Sequence, residues 1–439
     1  MKKIYSIGLL ALMFASCKPN LSTTAPGKGT ADFSVYVAVG NSLTAGYADN
    51  SLYRAGQQNS YPLRLSEQFR LVGGGNFVQP LLPSTAGFPY PRLVLGLSTS
   101  CNGSVSLGPV FSFDSSSVGN GANISSQGPF NNVGVPGIRC VDYLQQGYGY
   151  VNPYASRFYS NPIGETPLDE ALKLPATFYT VWLGANDVLG YATGGGVGNP
   201  TPFVPRPEDI TPTGLFQTIY DSVINALFAH GAKGVVVNIP DVTAIPFFTT
   251  VPHNALVLRQ GQADSLNAGY AHAGIFFLNF TKGPNNFVIA DPTATYGFRQ
   301  MYDDELVLLT IPQDSIICYG WGSQVPIPSK YILTRTEIAN VRSATSAYNN
   351  IIQDAASKHN LGYVDINNYL RTISTGIQYN GVKYNAQFVT GGAFSLDGVH
   401  LTPRGYALVA NYIISVINGK YGSTVPSVDV NKYQGVQFP

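Results

Sequence analysis

Charge is scarce in this sequence. Only 11% of its 439 residues are Asp, Glu, Lys or Arg, and 25 basic side chains meet 24 acidic ones. A nucleic-acid partner calls for a basic face to contact phosphates, and a near-neutral chain without a Lys/Arg-rich run of five offers none. No apolar segment reaches the ~20 residues of a membrane-spanning helix, so any membrane attachment is expected through lipid. The four cysteines and five histidines show no CxxC or His-rich spacing, and no metal site is expected. The glycines follow no three-residue period, which excludes collagen. With 44% hydrophobic and 12% aromatic residues the chain is not disordered, and its length suits one decorated domain or two.

The N-terminus reads as an export segment. Lys2-Lys3 is followed by a short apolar run from Ile4 to Phe14 and then by Ala15-Ser16-Cys17. This order resembles a bacterial lipoprotein signal, with Phe14 where an aliphatic residue is usual. The resemblance implies that residues 1–16 are removed, that Cys17 carries the lipid, and that the protein is anchored to a bacterial membrane of the cell envelope, the outer membrane in particular, on its periplasmic or exposed side. Residues 17–30, small, polar and Pro/Gly-rich, read as a flexible tether. In an oxidising envelope, Cys101, Cys140 and Cys318 can form one disulfide. Cys101–Cys140 is nearest in sequence, but all three pairings are open.

Beyond residue 30, apolar runs at Ser34–Val39, Phe178–Leu183, Gly234–Ile239 and Gly362–Ile366 predict strands covered on both faces, with Asn131–Val133 at the end of another. One-faced apolar patterns predict helices over Gly214–His230 and Thr334–His359, and Thr402-Pro403 opens a third. The fold expected is α/β: a three-layer α/β/α sandwich around a mainly parallel five-stranded sheet, flavodoxin-like. It spans 31–420, followed by a tail over 421–439. Two stretches, 72–130 and 243–333, exceed ordinary loops and read as insertions with small elements of their own. The apolar bursts of the second, together with aromatic residues such as Tyr319 and Trp321, could cover an acyl chain as a lid or form satellite cores.

Chemistry concentrates where strands end. The first run leads into Gly40-Asn41-Ser42-Leu43, the second into Gly184-Ala185-Asn186-Asp187, and Asp397-Gly398-Val399-His400 precedes the last helix. Open α/β sheets bind ligands at the carboxyl ends of their strands. A Ser, an amide, an Asp and a His gathered there would supply nucleophile, oxyanion donor, orienter and base.

These segments, with Asn132-Val133-Gly134-Val135-Pro136-Gly137, resemble the four sequence blocks of the GDSL, or SGNH, hydrolases, in order, with Asn41 where Asp is usual. The resemblance implies a serine esterase or lipase. Ser42 would be its nucleophile, His400 its base and Asp397 the orienter of the imidazole. An oxyanion hole would come from Ser42, Gly137 and Asn186, and no cofactor is implied. The substrate would be an ester, of a lipid or an acylated glycan. The alternative is a surface lipoprotein that binds glycans or another ligand on the same fold without turnover. The other histidines, His230, His253, His272 and His359, have no Ser/Asp constellation near them in sequence.

Overall fold

A computed structural model describes residues 25–112 and 121–438; Cys17 and the export segment lie outside them. Four parallel strands form the centre: β1 (Tyr36–Gly40), β2 (Phe178–Trp182), β3 (Lys233–Val237) and β4 (Gly362–Val364), in spatial order β1-β2-β3-β4. Their β-branched and aromatic side chains are buried almost throughout, because helices cover both faces. On one face α1 (Tyr61–Arg70) packs against α6 (Pro403–Tyr421). On the other, α2 (Asn186–Thr193) and α3 (Thr213–Phe228) pack against α4 (Arg335–Lys358). A shorter helix, α5 (Ile366–Thr375), follows β4 and stacks Tyr369 on Tyr412 of α6.

The sheet has four strands and not the five expected. The stretch at Asn131–Val135 does run beside β1, with Ala38 N–H donating to Asn131 O and the N–H groups of Val133 and Val135 donating to Ala38 O and Gly40 O. It forms only a single parallel bridge, Ala38 to Asn132. Pro136, with no N–H, and the turn at Gly137 end the ladder there. Counting this segment, the order in space is 2-1-3-4-5, the flavodoxin-like arrangement, whose order reverses beside β1.

The helix ends follow their sequences. Thr334 N–H donates to Glu337, a capping box. The Thr402 hydroxyl accepts from Gly405 N–H, with Pro403 at the first helical position of α6. Residues 25–30, read as tether, are instead hydrogen-bonded to the far end of α6: Thr30 N–H donates to Tyr421 O and Thr424 N–H to Gly27 O. The C-terminal segment is likewise docked, burying Val425, Val428 and Val430.

The stretch at 72–130 carries an antiparallel hairpin, Leu93–Thr99 with Val105–Phe111. The stretch at 243–333 holds a helix, Gln260–His272, and a core of its own built on Phe287, Ile289, Met301 and Ile327. A disulfide between Cys101 and Cys318 joins the two, while Cys140 is free and buried. The nearest-neighbour pairing with Cys140 fails because that residue sits in the main core, whereas the hairpin carrying Cys101 projects away from it. Among the described residues no helix is long and apolar enough to cross a membrane.

Candidate active site

The carboxyl end of β1 turns abruptly. A side chain on Gly40 would come within 2.0 Å of Thr44 Oγ1 and 2.8 Å of Trp182 O, so only glycine fits. Asn41 caps the following single helical turn, Ser42–Ala45, its side-chain oxygen accepting from Leu43 N–H at 3.1 Å. Asn in place of Asp therefore keeps the acceptor that the turn requires. The turn presents Ser42, only 8% exposed, at the sheet edge.

There it meets the other end of the chain. Ser42 Oγ lies 2.8 Å from His400 Nε2, and His400 Nδ1 lies 2.9 Å from Asp397 Oδ2. Burial alone would raise the Asp397 carboxyl, but the charge of His400 and hydrogen bonds from its ring and backbone, with one from Asn50 N–H, hold it well below the usual carboxylate range. An ionised carboxylate can only accept. Nδ1 of His400 therefore carries a proton, and when the ring is neutral the lone pair of Nε2 faces the Ser42 hydroxyl. The Tyr47 ring packs against the imidazole, centroids 4.6 Å apart.

Asp397 is held by more than the histidine. Its Oδ1 accepts from Ser395 Oγ, Val399 N–H and His400 N–H, and its Oδ2 from Asn50 N–H. Asn50 can aim its N–H there because Asp49 and Asn50 both adopt left-handed backbone, φ 51° and 59°. Asp49 Oδ1 in turn accepts from Leu396 N–H, and its Oδ2 accepts from the Tyr53 hydroxyl at 2.6 Å. A loop just after Ser42 thus fixes the loop bearing Asp397 and His400. Asp49, Asn50 and Ser395 were not singled out from sequence; Asp-Asn signals a turn, but nothing in it tells which group that turn supports.

Asn186 opens α2 after Gly184, whose left-handed backbone (φ 106°) and lack of a side chain let it approach Phe216 and Ile239. Neither Asn186 nor Asp187 caps this helix. The Asn186 amide donates one hydrogen to Ile138 O at 2.8 Å and lines the same pocket as Ser42 and His400; among the described residues its second hydrogen has no acceptor. Gly137, in left-handed backbone (φ 81°), precedes Ile138 but does not itself line that pocket. Among the described residues, the backbone N–H groups of Ser42 and Gly137 have no acceptor.

Asp187 ties the same two segments together from below: fully buried, it accepts from Cys140 N–H at 2.6 Å and from the Thr211 hydroxyl at 2.9 Å. Burial outweighs those bonds and pushes its carboxyl up to about 7. Between the ordinary carboxylate range near ~4 and about 7 the folded chain holds a proton that the unfolded chain has lost. Its contribution to stability is therefore complete below that window and is lost as pH rises through it. Asn in this position can accept from Cys140 N–H and donate to Thr211 without ionising. The melting temperature of Asp187→Asn relative to the parent is expected to be higher at pH 8 than at pH 5; a difference independent of pH in scanning fluorimetry would contradict this.

The remaining histidines lie elsewhere; His253, for one, pairs with Asn286 in the stretch at 243–333. The apolar bursts of that stretch do not form a lid over Ser42. Phe247 and Phe248 are buried, with Phe247 N–H donating to Gly398 O, and Leu278 and Phe280 lie in a separate core with Leu258 and Val288. Trp321 packs on the core around Phe287, and Tyr319 is exposed.

A family model described as GDSL-like Lipase/Acylhydrolase matches residues 36–413, most of the chain and a range that includes all four segments described above. No curated protein matches it.

Proposed function

The chain belongs to the GDSL-like lipase/acylhydrolase family, hydrolases of esters in general, and from that premise we propose that it is a serine esterase working through an acyl-enzyme. Ser42 Oγ attacks the ester carbonyl as His400 Nε2 takes its proton. Asp397 keeps the imidazole in the reactive tautomer and stabilises the imidazolium. The developing oxyanion is met by the N–H groups of Ser42 and Gly137 and the free amide hydrogen of Asn186. His400 then gives its proton to the departing alkoxide. Water, deprotonated by the same histidine, cleaves the acyl–Ser42 ester and restores the hydroxyl.

One observation carries this reading: the unbroken hydrogen-bond chain from Ser42 through His400 to Asp397, with the Asn186 amide lining the same pocket. A module that only binds its ligand has no need of that chain, which counts against the non-catalytic alternative.

The expected activity is hydrolysis of p-nitrophenyl butyrate without added cofactor. In Asn186→Ala, kcat should fall by about 10²–10³ with KM little changed, as befits a donor used mainly in the transition state. A change confined to KM would remove Asn186 from the oxyanion hole.

The proposal extends to location: an envelope lipoprotein held by a lipid on Cys17. The Cys101–Cys318 bridge supports an oxidising compartment. Residues 27–30 are held at the end of α6, a 19-residue helix that starts beside His400 and so spans about 28 Å. A chain anchored through this end would turn its active site away from the supporting bilayer. Globomycin-sensitive labelling with a palmitate analogue, lost in Cys17→Ala, tests the anchor.

A further inference from the structure

Building on the serine-esterase reading, we infer that the pocket beside Ser42 accepts only a short, uncharged acyl chain of about two to four carbons, and that Leu189, Ile245 and Leu370 set the limit. Ser42, Asn186 and His400 stand at this pocket, and the rest of its wall is almost wholly hydrocarbon, from Leu43, Leu189, Val242, Ile245, Leu370 and Val399. Its cavity measures about 30 Å³. Since roughly 10–15 Å³ on this measure admits one water-sized group, there is space for two or three carbons beyond the carbonyl.

The far walls are fixed. Asn238 donates to Asp365 at 2.8 Å and Asn367 to Ile239 O at 3.0 Å, tying α5, and with it Leu370, to the end of β3. Ile245 is buried just before Phe247, whose N–H is bonded to Gly398 of the catalytic loop. A longer chain would have to break these ties. A charged acyl group would meet no cation along the wall and would lose its hydration uncompensated. A larger groove, of about 360 Å³, is bordered by Asp49, Tyr53, Arg92, Ser395 and Phe438, but neither Ser42 nor His400 lines it. It therefore does not supply an acyl channel.

The test is kcat/KM for p-nitrophenyl esters from acetate to palmitate, normalised to active sites titrated with a small fluorophosphonate so that unfolded protein does not enter the rates. Each methylene that finds room should add roughly fourfold, the equivalent of ~0.8 kcal/mol. The profile should peak at propionate or butyrate and fall at least tenfold by octanoate. Of the three residues that set the limit, Leu189 alone is half-buried, so shortening it disturbs the fold least. Leu189→Ala should raise the octanoate-to-acetate ratio at least tenfold, and Leu189→Trp should lower the butyrate-to-acetate ratio. Octanoate or palmitate cleaved as fast as butyrate through Ser42, or ratios unmoved by both substitutions, would overturn the size limit while leaving the esterase reading intact. If no ester of any length is cleaved in a Ser42-dependent way, the esterase reading falls and the size limit with it.

Discussion

Replacing Ser42 by Ala is expected to cut kcat for p-nitrophenyl butyrate by about 10⁶, to the residual rate that binding and oxyanion donors alone sustain. Among the described residues, no other hydroxyl is hydrogen-bonded to His400 Nε2. The loss should not be a loss of fold, because the Ser42 side chain makes one hydrogen bond, to His400, and the turn that carries it is held by Asn41 and Gly46. His400→Ala should lose a similar factor. The double variant should be scarcely worse than either, since nucleophile and base act as one unit. Steady-state rates with melting curves measured alongside check this. Additive losses would mean that the two residues do not share a step.

Asp397→Asn is expected to cost about 10⁴ in kcat, through the wrong tautomer of His400. Three donors converge on Asp397 Oδ1 and two on Oδ2, so the new NH₂ group meets fewer donors on the Oδ2 side, facing His400 Nδ1. Nδ1 must then accept, the proton moves to Nε2, and the base that should receive the Ser42 proton is blocked. The carboxylate of the parent also fixes the shape of the pH profile. Its depressed pKa means that it stays ionised until the pH falls far below the ordinary carboxylate range; its contribution to stability is full above that range and is lost progressively as the pH falls through it towards the depressed value. Protonation of this carboxyl should therefore not steepen the acid limb of kcat/KM within or above the ordinary carboxylate range. A slope of two would place a titrating carboxyl in the same step.

The backbone of this account was legible in the sequence wherever local chemistry decides structure. Continuous apolar runs located the four strands to within two residues at most ends, because strands covered on both faces tolerate little else. Thr402-Pro403 marked the start of α6 because a hydroxyl acceptor followed by a residue lacking N–H is what a helix N-terminus needs. Ser42 and Asn186 stood out because each follows a strand of the parallel sheet, and Asp397 and His400 because they precede a capped helix; the structure brings Ser42, Asn186 and His400 to one pocket, with Asp397 bonded behind the imidazole.

What escaped was non-local. The Cys101–Cys318 bridge spans 217 residues and joins two distant stretches of the chain, so spacing gave no preference for it. The fifth strand reduces to one bridge because Asn131 turns its side chain to Val78 N–H and Tyr36 O while the ladder stops at Pro136. Asn50 acts through its backbone N–H, a group every residue but proline possesses, so no side-chain pattern could reveal it. The end of the tether looked mobile by composition, yet Tyr421 and Thr424 give it partners that only the folded chain brings near.

The most direct test is to trap the acyl-enzyme. Rapid acid quench during turnover of p-nitrophenyl butyrate, followed by peptide mass spectrometry, should find a butyryl group on the peptide containing Ser42, with none in Ser42→Ala. Ester turnover with the acyl group on another residue, or unchanged turnover in Ser42→Ala, would contradict the account.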